Sequence, residues 1–343
     1  MPVTLNSDLS GYDLLGSAPC LRGELLAPPA GYLDIGLVNN MPDGALQTTE
    51  RQFLGLLTEA AGGGAVRLSL YTLPGIPRSD AIQRHIDTSY SDIESLWDSH
   101  LDGLIVTGTE PRTPNLIDEP YWDNLTRILD WAEHNTISSV WSCLAAHAAI
   151  LHLDGIPRRR LSNKRSGVFE CARLSEHPFM DGVPQRIRMP HSRWNDIPEN
   201  ELTACGYRVL TRTETADVDM FVKQRKSSFV FFQGHPEYET DTLLREYRRD
   251  IRRYLSQETE TYPTMPHGYI DADTVNVLTA LRDRALFSRR EALPVDFPMA
   301  LVGGRLANTW RWAAGRIYAN WLTYICEQKE RRLQKWQVRV ECA

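Results

Sequence analysis

Apolar and polar positions along this chain switch repeatedly between a two-residue and a helical period. Residues 32–38 form a compact apolar run of strand length. Residues 48–61 place Phe53, Leu54, Leu56 and Leu57 at helical spacing, with Thr48 or Thr49 as the cap. Residues 66–73 alternate as a second strand and complete a βαβ unit. Residues 101–108 read as a third, buried strand ending in a glycine turn, and residues 121–133 as an amphipathic helix. A short strand then leads into an alanine-rich helix at Cys143. Later strands are expected at 166–171, 186–190 and 227–232, extending the sheet. Leu243, Leu244, Tyr247, Ile251 and Tyr254 mark a helix from residue 240, and residues 271–286 and 310–327 read as further helices around a loop at 288–300. Trp310, Trp312, Tyr318, Trp321 and Tyr324 are expected in the core or at an interface. The pattern predicts an α/β fold, a mostly parallel sheet with helices on both faces, whose sites form at the carboxyl ends of strands. Met41, Gly108 and Cys143 fall there. Residues 1–30 read as an irregular N-terminal arm, 31–327 as the main domain and 328–343 as a C-terminal tail.

Composition narrows the classes. Thirty-eight basic against 44 acidic residues give a net charge of -6, so no basic excess points to nucleic acid, and the Arg158-Arg-Arg160 and Arg331-Arg332 clusters are expected to be solvated faces. The six cysteines are scattered without a C-x-x-C pair, which indicates neither a metal site nor a disulfide framework and fits a reducing cytoplasm. No signal peptide or membrane-spanning run is seen, so a cytoplasmic protein with no membrane partner is expected.

The candidate chemistry centres on Cys143. Ser138-Ser-Val-Trp-Ser-Cys143-Leu-Ala-Ala-His reads as strand, turn and helix, with the sulfur at the turn. A helix N-terminus there favours the thiolate, and its free backbone N–H groups can hold an oxyanion; Leu144 N–H is the candidate donor. His235, in Gly234-His-Pro-Glu237, would be the general base and Glu237 its orienting partner. An unperturbed imidazole would give a rate rising with an apparent pKa of about 6 to 7. Against this stands the ordinary habit of Cys as a small buried hydrophobe. Arg245, Arg249 and Arg252 share one helix face, by default a solvated one, though one of them could clamp a carboxylate.

A Cys followed far downstream by His-Pro-Glu resembles the class I glutamine amidotransferases, and more closely the homoserine O-succinyltransferase family. The closer resemblance rests on Asn40-Met-Pro42, Asp102-Gly-Leu-Ile-Val-Thr-Gly108, Tyr121-Trp122, Lys164-Arg-Ser-Gly-Val-Phe169, Pro190-His-Ser-Arg193, Gly234-His-Pro-Glu-Tyr238, Glu246-Tyr-Arg-Arg-Asp250 and Asn320-Trp-Leu-Thr-Tyr324, in family order. Glutaminases surround their Cys with glycines, whereas Ser142 and Leu144 flank it here. The resemblance implies a class I glutamine amidotransferase-like fold and an O-acyltransferase in methionine biosynthesis. Cys143 would take the acyl group from acyl-CoA, His235 would accept the proton and Glu237 would support it. Lys164, Ser192 and Arg249 would contact substrate, Arg249 through the amino-acid carboxylate. Acyl-CoA is implied as a co-substrate with no bound cofactor, and an amino acid as the second substrate. Apart from the resemblance, the aromatic C-terminal helix and the N-terminal arm are candidate surfaces for a homodimer.

This chain departs from the family's pattern in three places. Asp43-Gly44 stands where the family usually has a basic pair, residues 284–300 look like an insertion, and Arg112 occupies the position that discriminates acyl donors. Glycine there goes with succinyl and glutamate with acetyl; a cation would attract a succinyl carboxylate or a CoA phosphate, which favours succinyl-CoA over acetyl-CoA. The acceptor is expected to be L-homoserine or a close relative such as L-serine. A glutaminase and a catalytically silent binding subunit are the alternatives from other classes.

Overall fold

The computed structural model describes residues 3–5, 32–215, 217–287, 289 and 297–341. The chain runs β1 (Val3–Leu5), β2 (Leu33–Val38), α1 (Asp43–Ala61), β3 (Val66–Tyr71), α2 (Asp80–Ser89), β4 (Gly103–Val106), α3 (Trp122–Asn135), β5 (Ser138–Ser142) and α4 (Leu144–Asp154). It continues with β6 (Arg159–Arg173), β7 (Arg186–Asp196), α5 (Glu199–Ala204), β8 (Arg208–Thr213), β9 (Val218–Gln224), β10 (Ser228–Phe232), α6 (Thr242–Leu255), α7 (Ala272–Phe287), α8 (Met299–Gly303) and α9 (Arg311–Glu341).

These strands form one sheet in the order β1-β3-β2-β4-β5-β10-β9-β8-β6-β7. The half from β1 to β10 is parallel, as the alternation of strands and helices predicts, and the half from β10 to β7 is antiparallel. Helices cover both faces. Phe53, Leu56 and Leu57 of α1 and Ile317, Tyr318 and Trp321 of α9 pack on one, and Leu125, Ile128, Ala145 and Ala149 of α3 and α4 on the other. A third cluster joins α6, α7 and Trp310.

Several expectations shift. α1 starts at Asp43, not at Thr48, because Pro42 sits extended at φ -64° and ψ 162° and launches the helix directly. Thr49 is thereby a buried residue inside the helix. The arm is not wholly irregular: Val3–Leu5 pairs with β3 as an edge strand, and most of residues 1–30 lies outside the described residues. The strand expected at 227–232 is present as β10 and lies in mid-sheet, because it pairs parallel with β5 and antiparallel with β9. α9 continues through the proposed tail to Glu341. Most of the proposed insertion at 284–300 lies outside the described residues, between the end of α7 and α8. Trp310, Tyr318 and Trp321 are core, whereas Trp312 is exposed.

Candidate active site

Two neighbouring strands end at the same place, and that register builds the site. Ser142, the last residue of β5, pairs with Phe232, the last of β10. Cys143 therefore follows one strand end and Gly234-His235-Pro236-Glu237 the other, and Cys143 N donates to Phe232 O at 2.7 Å. Cys143 has φ 53° and ψ -114° as the residue before α4, a conformation L residues rarely adopt. Such a sharp strand-to-helix turn presents the side chain outward above the strand ends. Cys143 is accordingly only half-buried, in a stretch that is otherwise sealed.

Gly108 lies against this turn. A Cβ on residue 108 would stand 2.9 Å from Leu144 N and 2.8 Å from Leu144 Cβ, so the absence of a side chain at 108 keeps the approach to the first helical N–H open. The neighbouring strand ends are held by Asn40, whose N donates to Thr107 Oγ1 at 2.8 Å and whose Oδ1 accepts from Leu73 N at 3.1 Å. That gives the Asn40-Met-Pro42 stretch a structural reason.

His235 Nδ1 and Glu237 Oε1 are 2.8 Å apart, both buried. His235 also interacts with Cys143 through a side-chain hydrogen bond. Burial alone would lower the imidazole pKa, but the Glu237 carboxylate and Cys143 outweigh it and hold the pKa well above the ordinary value. The expectation of an inflection near an ordinary histidine is thereby corrected. Tyr238 stacks on the His235 ring with centroids 4.2 Å apart, and its hydroxyl donates to Glu246 Oε1 at 2.9 Å. Beneath the turn, Gly234 is confined: a Cβ there would meet Asp219 Oδ1 and Met189 Cγ at 2.6 Å. Asp219 belongs to a sealed group with Cys171 and His191, whose side-chain ligand atoms lie within 4.8 Å of one another. His147, one turn into α4, is pushed down to about 4 by burial and donates from Nε2 to Gln233 Oε1 at 3.0 Å, so it stays neutral.

Two of the substrate residues expected from the sequence, Lys164 and Arg249, meet at α6. Lys164 Nζ is 2.6 Å from Asp250 Oδ2, and Arg249 reaches Asp250 Oδ1 at 3.1 Å. Glu246, one helical turn before Asp250, acts electrostatically on Arg249 and has one carboxylate oxygen, Oε2, buried without a partner. Ser192 lies half-buried on β7, between the fully sequestered His191 and Arg193. Arg112 is exposed, its backbone N held by Glu119 Oε1 at 2.7 Å. Lys164 and Arg249 therefore meet at α6, which Glu246 and Tyr238 connect to the His235 turn, while Ser192 lies on β7 opposite Ser166 and Arg112 on the loop after β4.

Three features escaped the sequence reading. Glu246 was part of a motif but carried no role; its unsatisfied oxygen beside Arg249 is visible only in three dimensions. Arg253, not the Arg252 of the helix-face stripe, pairs with Glu110 at 2.8 and 3.0 Å and pins the loop after β4 to α6. Arg158 is not part of a solvated face: it is half-buried, and its Nη2 donates to Pro114 O at 3.2 Å on the loop after β4.

A family model described as homoserine O-succinyltransferase matches residues 29–332 of this chain. The chain belongs to the homoserine O-succinyltransferase family. Among its relatives, a homoserine O-succinyltransferase from Rhodopseudomonas palustris is 46% identical over 299 residues, which is 87% of this chain and 90% of the relative. One from Methylorubrum extorquens is 46% identical over 302 residues, 88% of this chain and 89% of the relative. Among solved structures, a glutamine amidotransferase from Methylobacillus flagellatus is 13% identical with a TM-score of 0.48, covering 86% of this chain and 95% of its own. No helix among the described residues of this family member is long and apolar enough to cross a membrane.

Proposed function

We propose that this enzyme transfers a succinyl group from succinyl-CoA to the hydroxyl of L-homoserine through a thioester on Cys143. The observation that carries the reading is the Cys143 turn in contact with a His235–Glu237 pair, in a chain of this family. His235 holds the Cys143 thiol proton as Sγ attacks the thioester carbonyl, the oxyanion collapses with cleavage of the carbonyl–sulfur bond to CoA, and the CoA thiolate leaves with that proton from His235. The homoserine hydroxyl then gives its proton to His235 and attacks the acyl carbon, and Cys143 leaves as thiolate. Leu144 N–H is suited to stabilise both oxyanions. Splitting the transfer in this way lets one base serve both halves, and double-reciprocal plots should be parallel.

The acceptor's recognition follows from charge. Arg249 would take the α-carboxylate, the unpartnered Glu246 Oε2 the α-ammonium, and Lys164 and Ser192 would complete the pocket. Arg112, an exposed cation on the loop after β4, is assigned a part in donor choice. The test is steady-state kinetics with succinyl-CoA, acetyl-CoA and glutamine as donors and with L-homoserine and L-serine as acceptors. The highest kcat/KM is expected for succinyl-CoA with L-homoserine. Ammonia release from glutamine with no turnover of either acyl-CoA would overturn the reading.

A further inference from the structure

Gln233 stands between Phe232, the last residue of β10, and the Gly234-His235 turn, and it is fully buried. Its side-chain amide has partners on three elements. Oε1 accepts from His147 Nε2 of α4 at 3.0 Å, and Nε2 donates to Val218 O of β9 at 2.7 Å and to Asp196 Oδ1 of β7 at 3.3 Å. A carbonyl oxygen only accepts, so Val218 O fixes which way the amide faces. His147 closes the first turn of α4, where its N donates to Cys143 O at 3.2 Å. Asp196 is held in turn by Arg193 Nη1 at 3.1 Å, and on the same strand Pro190 O accepts from His235 N at 2.8 Å. One amide is thereby bonded both to the helix that starts at Cys143 and to the strand that holds the His235 backbone. Burial pushes the His147 pKa down to about 4, which keeps the ring neutral, with its one N–H on Nε2 toward Gln233.

We infer that Gln233 is a positioning residue: through His147 it fixes the helical turn that presents Cys143, and through Asp196 the strand behind His235, so that Sγ and the imidazole keep their contact in both halves of the reaction. The β5–β10 register and the bond from Cys143 N to Phe232 O align the two strand ends. Those bonds end at Cys143, whereas the Gln233 amide reaches the following turn of α4. Removing the amide leaves the His147 N–H buried without its partner, a cost that movement of α4 would relieve. Proton transfer between Cys143 and His235 is sensitive to such movement, since a misplacement of about 1 Å can cost about 10²-fold in rate. This inference rests on the reading of Cys143 as nucleophile and His235 as base.

The experiment measures kcat, KM for L-homoserine and the pH dependence of Cys143 alkylation by iodoacetamide, read on the Cys143 peptide. The proteins are the wild type, Gln233→Met, His147→Leu, His147→Gln and the double variant Gln233→Met with His147→Leu, each rate scaled to the folded fraction. Gln233→Met should lower kcat at least about tenfold while KM changes less than about threefold. It should also move the alkylation inflection upward, because a displaced imidazole no longer supports the thiolate. His147→Leu should show the same pattern, and it carries the test if Gln233→Met does not fold. His147→Gln, which keeps an N–H donor, should recover most of the loss. The double variant should be no worse than either single one, as expected for two residues acting through one bond. A folded Gln233→Met with the wild-type kcat and alkylation profile overturns the inference. So do losses that multiply in the double variant, or a fall in kcat with an unmoved alkylation inflection, which is the result of a purely structural role. A Cys143→Ala variant that turns over like the wild type overturns the parent reading first, and is recognised before any of these variants is made.

Discussion

Cys143 combines an uncommon backbone conformation, φ 53° with ψ -114°, with a contact to His235, and each has its own consequence. Non-glycine residues in such regions cost of order 1–3 kcal/mol, so Cys143→Gly should abolish transfer while raising stability by about 1 kcal/mol. Thermal unfolding reads this, and a lowered midpoint would show that the turn is not strained. His235 supplies the second consequence. Its folded pKa is raised above the unfolded value of about 6.5, so its contribution to stability is complete below that value and is lost as pH rises through the folded pKa. Removing the carboxylate charge by Glu237→Gln should move the imidazole pKa downward, as followed by NMR of the ring against pH. A midpoint that stays or rises in that variant would contradict the electrostatic coupling. At this scale the sequence was informative because Cys143, His235 and Glu237 lie in recognisable turns. It could not show that Glu237 dominates the favourable electrostatics of the imidazole, since that depends on how deeply both are buried.

The helix–strand elements that aim these residues were legible where their apolar pattern is unbroken. β2, β4 and β5 are sealed runs, and each was placed within a residue or two. β8 and β9 were missed because charges interrupt them: Asp219 and Lys223 look like loop residues until Thr211 is seen donating to Asp219 at 2.8 Å and Lys223 pairing with Asp154 at 2.7 Å. α2 was missed for the opposite reason, since it buries only Ile86 and Ser89 and leaves a weak apolar face. The start of α1 was hidden by Pro42-Asp43-Gly44, which reads as a turn. At the strand ends the close approach of Gly108 to Leu144 gives the most direct element-level prediction. Gly108→Ala would press a methyl group onto the Leu144 backbone, which has no flexible side-chain end to yield. If Leu144 N–H serves the oxyanion, kcat should fall about 10²–10³-fold, the usual effect of losing one such donor. Retention of near-normal kcat would show that this N–H has no such role.

Across the whole molecule, the site depends on a sheet braced from behind. Trp321 of α9 is buried and donates from Nε1 to Ser138 Oγ at 2.9 Å, so the C-terminal helix is bonded to the first residue of the strand that ends at Cys143. Trp321→Ala should destabilise the fold by about 3–5 kcal/mol through the cavity and the lost hydrogen bond. Chemical denaturation measures it; a change below about 1 kcal/mol would show that α9 is not an integral layer. The two-faced α/β architecture followed from alternating periods, and the antiparallel half did not, because its strands carry polar residues whose partners are distant in sequence. The central claim is that Cys143 becomes acylated. Intact-mass analysis and peptide mapping after mixing the enzyme with succinyl-CoA in the absence of an acceptor test it most directly. The expected result is one succinyl group on the peptide containing Cys143, removed when L-homoserine is added and absent in Cys143→Ala. Turnover of succinyl-CoA and L-homoserine by Cys143→Ala, or a label that forms elsewhere and persists after homoserine is added, would contradict the account.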